Sequence, residues 1–158
     1  MATLHNQVRR MFILVPFIPL VLLIVAAVYD LRTRIVPDGV SATMLLGGIV
    51  ATSQGYGAAT WQGFAISTAL ASAIGLLLFA RGGWGGADVK LLVALGGWLP
   101  PAALLATMFW MAIVGAALAI AYAARGRKSL PYVPAIAAGL LIQFAWPEAL
   151  GLFIQSTR

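Results

Sequence analysis

The sequence predicts an all-α membrane protein, a bundle of about six transmembrane helices. Hydrophobic residues make up 62% of the 158 residues, and charged residues make up only 9%. Soluble domains carry about 25% charged residues, so water is not the main solvent of this chain. Long apolar runs alternate with short polar stretches, which is the pattern of a chain that crosses a bilayer several times. We therefore expect residues 1–158 to form a single polytopic membrane domain with no separate soluble part.

The first apolar segment runs from Met11 to Tyr29 and follows Arg9 and Arg10. It resembles a secretory signal peptide, whose apolar part usually has about 7–15 residues. This segment is longer, and no clean small-x-small cleavage site follows it. We therefore expect a retained first transmembrane helix.

A polar loop over residues 30–38 separates the first helix from the second. Pro37 should hold Val36 outside the helical region, because proline restricts the residue before it. Asp38 stands where a helix N-cap residue is expected. The second helix is accordingly predicted to begin at Gly39.

The fourth apolar segment is too short to cross a bilayer comfortably on its own, and it stops at Pro100-Pro101. We expect it to be a half-helix packed inside the bundle. Trp84 and Trp98 flank it and are expected at the membrane interface, where tryptophan is enriched. The segments after the first are Gly39–Ser53, Trp61–Ala80, Val89–Leu99, Ala102–Ala124 and Pro131–Ile154.

The basic residues predict the orientation. With six crossings, the loops after the first, third and fifth helices share one side. Because cytoplasmic loops are enriched in lysine and arginine, this side is predicted to face the cytoplasm of a bacterial inner membrane, with both termini outside. If the fourth segment does not cross, the C-terminal half is inverted. The shared side holds seven of the ten basic residues: Arg32, Arg34, Arg81, Lys90, Arg125, Arg127 and Lys128.

Composition also excludes several kinds of site. The chain has no cysteine, and His5 is its single histidine. Disulfides, thiolate nucleophiles, Ser-His pairs, histidine-rich metal sites and haem sites are therefore not expected, and we predict no metal and no cofactor. The net charge of +6 resides in short loops without a long basic tract. It indicates contact with lipid headgroups, and no nucleic-acid partner is expected.

Four acidic residues are present: Asp30, Asp38, Asp88 and Glu148. Asp30 follows the first span and Asp88 precedes the fourth, on the same predicted side. Acidic groups at membrane depth are energetically unfavourable and mark functional sites. Two carboxylates close together share a proton, so that one activates water and the other polarises a carbonyl. Spacing alone leaves open a capping or interface role for either residue, and Glu148 is expected at the outer face.

Three stretches resemble a known family. Asp30, followed by Arg-Ile-Val-Pro-Asp38, and later Gly85-Gly86-Ala87-Asp88-Val-Lys-Leu-Leu are similar to the two signature regions of the type IV prepilin peptidases, which belong to the GxGD intramembrane aspartic proteases. Leu130-Pro-Tyr-Val-Pro134 resembles the proline-containing last helix of that family. The resemblance covers most of the chain, from about Tyr29 to Gly139.

The resemblance implies that residues 1–158 form one membrane peptidase domain with Asp30 and Asp88 as its catalytic aspartates, near the cytoplasmic face. Asp38 then suits a loop brace better than a catalytic acid. Lys90, two positions after Asp88, would point to nearly the opposite helix face and anchor at the headgroups. The positions expected to bind substrate or support the motifs are Asp38, Gly85, Gly86, Ala87, Lys90, Pro131 and Pro134.

Two departures from the family pattern matter. Ala87 replaces the second glycine of GxGD, which would strain the backbone by about 1 kcal/mol if that position needs a positive φ and would be harmless otherwise. The larger family members also carry a methyltransferase region with paired CxxC motifs. This chain has no cysteine, so it is similar to the short, peptidase-only form of Flp or tight-adherence pilus systems.

The function implied by the resemblance is removal of the N-terminal leader from a pilin precursor, the expected partner besides the lipid bilayer. Three alternatives remain. Asp30 and Asp88 could relay protons in a small transporter. The chain could be a pilus-assembly subunit without catalytic activity. A Ser-Lys enzyme would use Lys90 or Lys128 as its base, with Ser129 beside the latter.

Overall fold

The computed structural model describes residues 17–58, 60–126 and 130–146. This part of the chain is all helical, with no strand in it. The helices are α1 (Phe17–Thr33), α2 (Asp38–Ser53), α3 (Trp61–Ala80), α4 (Gly86–Gly96), α5 (Pro101–Ala124) and α6 (Val133–Ala145).

Helix α3 turns small residues inward and large apolar residues outward. On α3 the buried residues recur every fourth position: Gly63, Ser67, Ala71 and Gly75. Large side chains such as Leu76 of the same helix are more than half exposed. Because lipid provides no hydrophobic driving force for helix association, helices in a membrane associate through close packing of small residues. This arrangement is that of a bundle whose solvent is apolar.

Two of the described helices, α3 and α5, are long and apolar enough to cross a membrane, with mean hydropathies of 2.0 and 2.2. The helix α6 is apolar but shorter. These lengths support a membrane protein. Six complete crossings remain a prediction.

The short helix α4 lies at the centre of the bundle, as expected of a half-helix. It packs between α2 and α3 and also touches α5. The carbonyl oxygens of two residues just after α4 accept hydrogen bonds from side chains of other helices. Thr52 Oγ1 donates to Gly97 O at 3.3 Å, and Ser67 Oγ donates to Leu99 O at 2.8 Å. Such partners are required where water is absent. Its buried residues are Asp88, Val89, Leu91, Leu92, Ala94, Leu95 and Gly96.

Successive helices run in opposite directions. At one end, which we name the aspartate end, α1, α3 and α5 finish and α2, α4 and α6 begin. Asp30 near the end of α1 contacts Val133 at the start of α6, and Lys90 of α4 contacts Asp38 at the start of α2. Every basic residue in the described ranges lies at this end: Arg32, Arg34, Arg81, Lys90 and Arg125.

Most predicted bounds are close to the observed ones, and the bounds of α3 are the same. The first helix differs, because it continues to Thr33 and places Asp30 on its last turn rather than in a loop. No proline or glycine interrupts the chain there, and the helix ends where Arg34 adopts a φ of 59°. Val36 is non-helical, as predicted from Pro37.

The remaining bounds shift by a few residues. The helix α4 begins three residues before Val89 and α5 one before Ala102, whereas α6 begins two after Pro131. The predicted start of the first span, the predicted end of the last one, and Glu148, Lys128 and Ser129 lie outside the described residues.

The prediction that Trp84 and Trp98 are interfacial was wrong, because both are buried, at 9% and 5% exposed. Trp98 Nε1 donates to Met44 O at 2.6 Å. An indole ring is amphipathic, and a backbone acceptor inside the bundle satisfies it as well as the interface would.

Candidate active site

Asp30 lies on the last turn of α1 and reaches the beginning of α6. Val133 N–H donates to Asp30 Oδ2 at 3.3 Å. The first amides of a helix have no partner within the helix, and Pro134 has no N–H at all. Asp30 therefore accepts a hydrogen bond at a helix N-terminus, where the helix dipole also favours a negative charge.

Asp88 lies in the first turn of α4, and its side chain turns back to the residue before the helix. Gly85 N–H donates to Asp88 Oδ2 at 2.9 Å. Asp88 is 8% exposed and lies outside the two helices long enough to cross a membrane. Burial raises the pKa of Asp88 to about 6; the Gly85 hydrogen bond opposes this shift, and the nearby Asp30 charge adds to it. The carboxyl therefore takes up a proton at a higher pH than an exposed aspartate does.

The structure brings Asp30 and Asp88 to one cavity of about 350 Å³ at the aspartate end. Its wall comes from the end of α1, the start of α4 and the start of α6, and it includes Ala87, Leu130 and Tyr132. The sequence-predicted pair therefore shares one open space, which is large enough for a peptide segment and water. Facing one cavity is a precondition for a carboxyl dyad, whose two groups must also lie close enough to share a proton.

A second cavity, of about 790 Å³, lies on the other side of Asp88, toward α5. Asp88, Gly85, Leu130 and Tyr132 line both cavities, so the two adjoin. The α5 wall consists of small residues: Ala112, Gly115, Ala116 and Ala119.

An aromatic pair separates α4 from α6 at this point. The rings of Trp84 and Tyr132 have centroids 5.0 Å apart. Gly115 leaves room for the tyrosine, because a Cβ there would lie 2.5 Å from its hydroxyl oxygen. Burial raises the pKa of Tyr132, so its hydroxyl stays protonated. Tyr132 lies in the stretch that resembles the family, but the pattern there predicts no role for it. Gly115 lies within an apolar span where nothing in the sequence distinguishes it.

Asp38 and Lys90 lie outside the cavity that Asp30 and Asp88 share. Lys90 Nζ donates to Asp38 Oδ1 at 2.7 Å, and both side chains are largely exposed, at 54% and 78%. The prediction that Asp38 caps α2 was wrong: Pro37 is the N-cap residue, no side chain caps the helix, and Asp38 binds Lys90 instead. The pair braces the start of α2 against α4.

The motif stretch Gly85-Gly86-Ala87 leads into α4 with ordinary backbone angles. Gly85 has a φ of −84°, and Ala87 is not among the described residues with a positive φ. Alanine in place of the second motif glycine therefore causes no backbone strain at position 87. Pro131 is buried beside the cavity, and Pro134 occupies the first turn of α6, where proline is favoured.

Ala87→Gly should lower stability by less than about 1 kcal/mol, because glycine is disfavoured in helices. Thermal unfolding in detergent would measure the change. A clear rise in stability would mean that alanine strains the backbone at this position.

No group of three His, Cys, Asp or Glu side chains lies together within residues 17–58, 60–126 and 130–146. Two carboxyl groups in one cavity, each held by a backbone N–H, can hold and transfer a proton.

The chain is similar to known proteins of one family. The family model described as the type IV leader peptidase family matches residues 17–120, most of the chain and both aspartates. The prepilin leader peptidase/N-methyltransferase of Bacillus subtilis (strain 168) is 33% identical over 91 residues, which cover 51% of this chain and 37% of that protein. The chain thus matches little more than a third of that relative's length. No solved structure matches it significantly. Because the family model covers well over half of its residues, the chain belongs to the type IV leader peptidase family.

Proposed function

We propose that this chain is an intramembrane aspartic endopeptidase that removes the N-terminal leader from Flp-type pilin precursors. The observation that carries the proposal is the single cavity that Asp30 and Asp88 line together in a member of this family. The name of the Bacillus relative, a prepilin leader peptidase, supports the substrate class.

The proposed chemistry is hydrolysis by a carboxyl pair that shares one proton. The ionised carboxylate takes a proton from water while the water oxygen attacks the scissile carbonyl carbon. The protonated carboxyl donates its hydrogen to the carbonyl oxygen. When the tetrahedral intermediate collapses, the C–N bond breaks and the departing amine takes up the proton that the first carboxylate had removed from water. The second carboxylate recovers a proton from a hydroxyl of the intermediate as the product carboxyl group forms, so that the pair again holds one proton. The two carboxyl groups titrate as a coupled pair, so the apparent pKa values belong to the pair and not to either aspartate alone.

The membrane topology belongs to the proposal. The basic residues of the described ranges lie at the aspartate end, which would face the cytoplasm of a bacterial inner membrane. The site would then open where a pilin leader lies before its transmembrane segment. The six helices would lie in the bilayer, with the half-helix α4 buried among the others.

The test is co-expression of the chain with a Flp-type prepilin in cells that lack other prepilin peptidases. We expect a shortened pilin on a gel, and mass spectrometry should place its new N-terminus just before the hydrophobic segment. A prepilin whose residue before the cut is changed from glycine to a bulky one serves as the matched control and should stay uncut.

An intact prepilin beside wild-type protein that has reached the membrane would contradict the proposal. A proton-flux assay in proteoliposomes would then test the transporter alternative, which also uses Asp30 and Asp88.

A further inference from the structure

We propose that the Trp84–Tyr132 ring pair is a positioning device that sets the relative placement of the Asp30 and Asp88 carboxyl groups. The inference rests on the proposed peptidase function, because it assigns two positioning residues to that site.

The first observation is where the donors of the two carboxyl groups lie in the chain. Gly85, whose N–H binds Asp88, directly follows Trp84. Val133, whose N–H binds Asp30, directly follows Tyr132. Each ring is therefore one residue before the amide that holds one aspartate, and a shift of either ring moves that amide.

The second observation is the contact between the rings themselves. Their centroids are 5.0 Å apart with an interplanar angle of 45°. Trp84 is 9% exposed, so it is fixed on its remaining sides by the bundle. Offset or tilted aromatic pairs of this kind are favourable beyond their buried area.

The third observation is the support behind Tyr132. Its ring lies against the backbone of α5 at Gly115, where a Cβ would come within 2.7 Å of two ring carbons. The tyrosine is thus held between Trp84 and α5. The start of α6 cannot move away from α4 without breaking this packing.

A chain of contacts therefore runs from Asp88 through Gly85 and Trp84 to Tyr132, Val133 and Asp30. It joins the beginnings of α4 and α6, although these two helices do not make one of the principal helix contacts of the bundle. Catalysis by a carboxyl pair depends on the spacing of its oxygens, and a displacement of about 1 Å can lower the rate by about 10²-fold.

The experiment compares Trp84→Leu, Tyr132→Leu and the double variant with Trp84→Phe and Tyr132→Phe in a prepilin cleavage assay. The leucine variants should lower kcat by about 10–100-fold, with KM within about twofold, because they displace the carboxyl groups. The phenylalanine variants keep a ring and should retain most of the activity. The double leucine variant should be little worse than either single one, since one contact is lost in each case.

Two further readouts separate positioning from a general loss of structure. In the leucine variants the acid limb of the pH–rate profile should move to higher pH, because weaker N–H donation to a carboxylate raises its pKa. Hydrogen exchange at the Gly85 and Val133 amides, followed by NMR in micelles, should accelerate while the α3 amides stay protected. Trp61→Leu, on an exposed ring of α3, is the matched control and should match wild type in every readout.

Unchanged kcat and unchanged exchange in the leucine variants would overturn the proposal, as would phenylalanine variants that fail as badly as the leucine ones. If wild type cleaves no prepilin, the proposed function fails, and amide exchange still decides whether the ring pair fixes the two donors.

Discussion

Asp30→Asn and Asp88→Asn should each lower the rate of leader cleavage by about 10²–10⁴-fold, the usual contribution of a general acid or base. Asparagine has nearly the same shape, and its carbonyl oxygen can still accept the N–H of Val133 or Gly85. It cannot take up or release the shared proton. The measurement is a time course of prepilin cleavage by purified protein in nanodiscs, with gel filtration to confirm that each variant is folded.

Asp38→Asn is the matched control for these two substitutions. It removes the same charge at the same end of the bundle, but Asp38 is exposed and bound to Lys90 rather than placed in the cavity. Exposed ion pairs contribute little to stability, about 0–1 kcal/mol, so the variant should be stable and cleave at a rate within a few-fold of wild type. Substantial cleavage by either Asp30→Asn or Asp88→Asn would rule out the aspartyl mechanism.

The sequence could predict the helices because apolar length and proline positions act locally. The short apolar run after Asp88 was predicted to be a half-helix inside the bundle, and α4 is buried there. Composition could not predict that α1 continues through Asp30. Hydropathy falls at that residue, whereas the helix ends only where Arg34 takes a positive φ.

The pairing of Asp30 with Asp88 was expected from the family resemblance and not from their spacing. The partners of these residues are still less predictable, since the donor to Asp30 lies 103 residues later in the chain. The same holds for Trp98, whose acceptor Met44 lies 54 residues earlier. An indole can find a hydrogen-bond partner either at the membrane interface or in the core, and tertiary packing alone determines which location it takes.

At Asp38, a contact with a residue distant in the sequence overrides the local preference for N-capping. Its position favoured an N-cap role, but its carboxylate binds the Lys90 ammonium, which approaches from another helix. The two alternatives are close in free energy, since an N-cap is worth about 1 kcal/mol and an exposed ion pair about 0–1 kcal/mol.

Substitutions at Gly139 should have the largest effect on stability. This glycine lies where α6 packs most closely on α5, and a Cβ there would come within 2.7 Å of Met111 N and 2.8 Å of Thr107 O. Backbone atoms cannot turn aside as a flexible side chain can, so the helices must separate. We expect Gly139→Ala to destabilise the protein by about 1–3 kcal/mol and Gly139→Leu to prevent its accumulation as a folded monodisperse species.

The measurement is gel filtration of a fluorescent fusion after heating, which gives an unfolding midpoint without purification. Gly39→Ala is the matched control: no atom lies within 4 Å of its added Cβ, and alanine is the better helix former, so the midpoint should stay or rise. Equal midpoints for Gly139→Ala and wild type would mean that α5 and α6 do not approach this closely. The α5 wall behind Tyr132 would then be displaced as well, because Gly115 and Gly139 both allow other residues to lie close against α5. The inferred packing at Gly139 and the inferred support of the carboxyl pair would then both be wrong, because both depend on the position of α5.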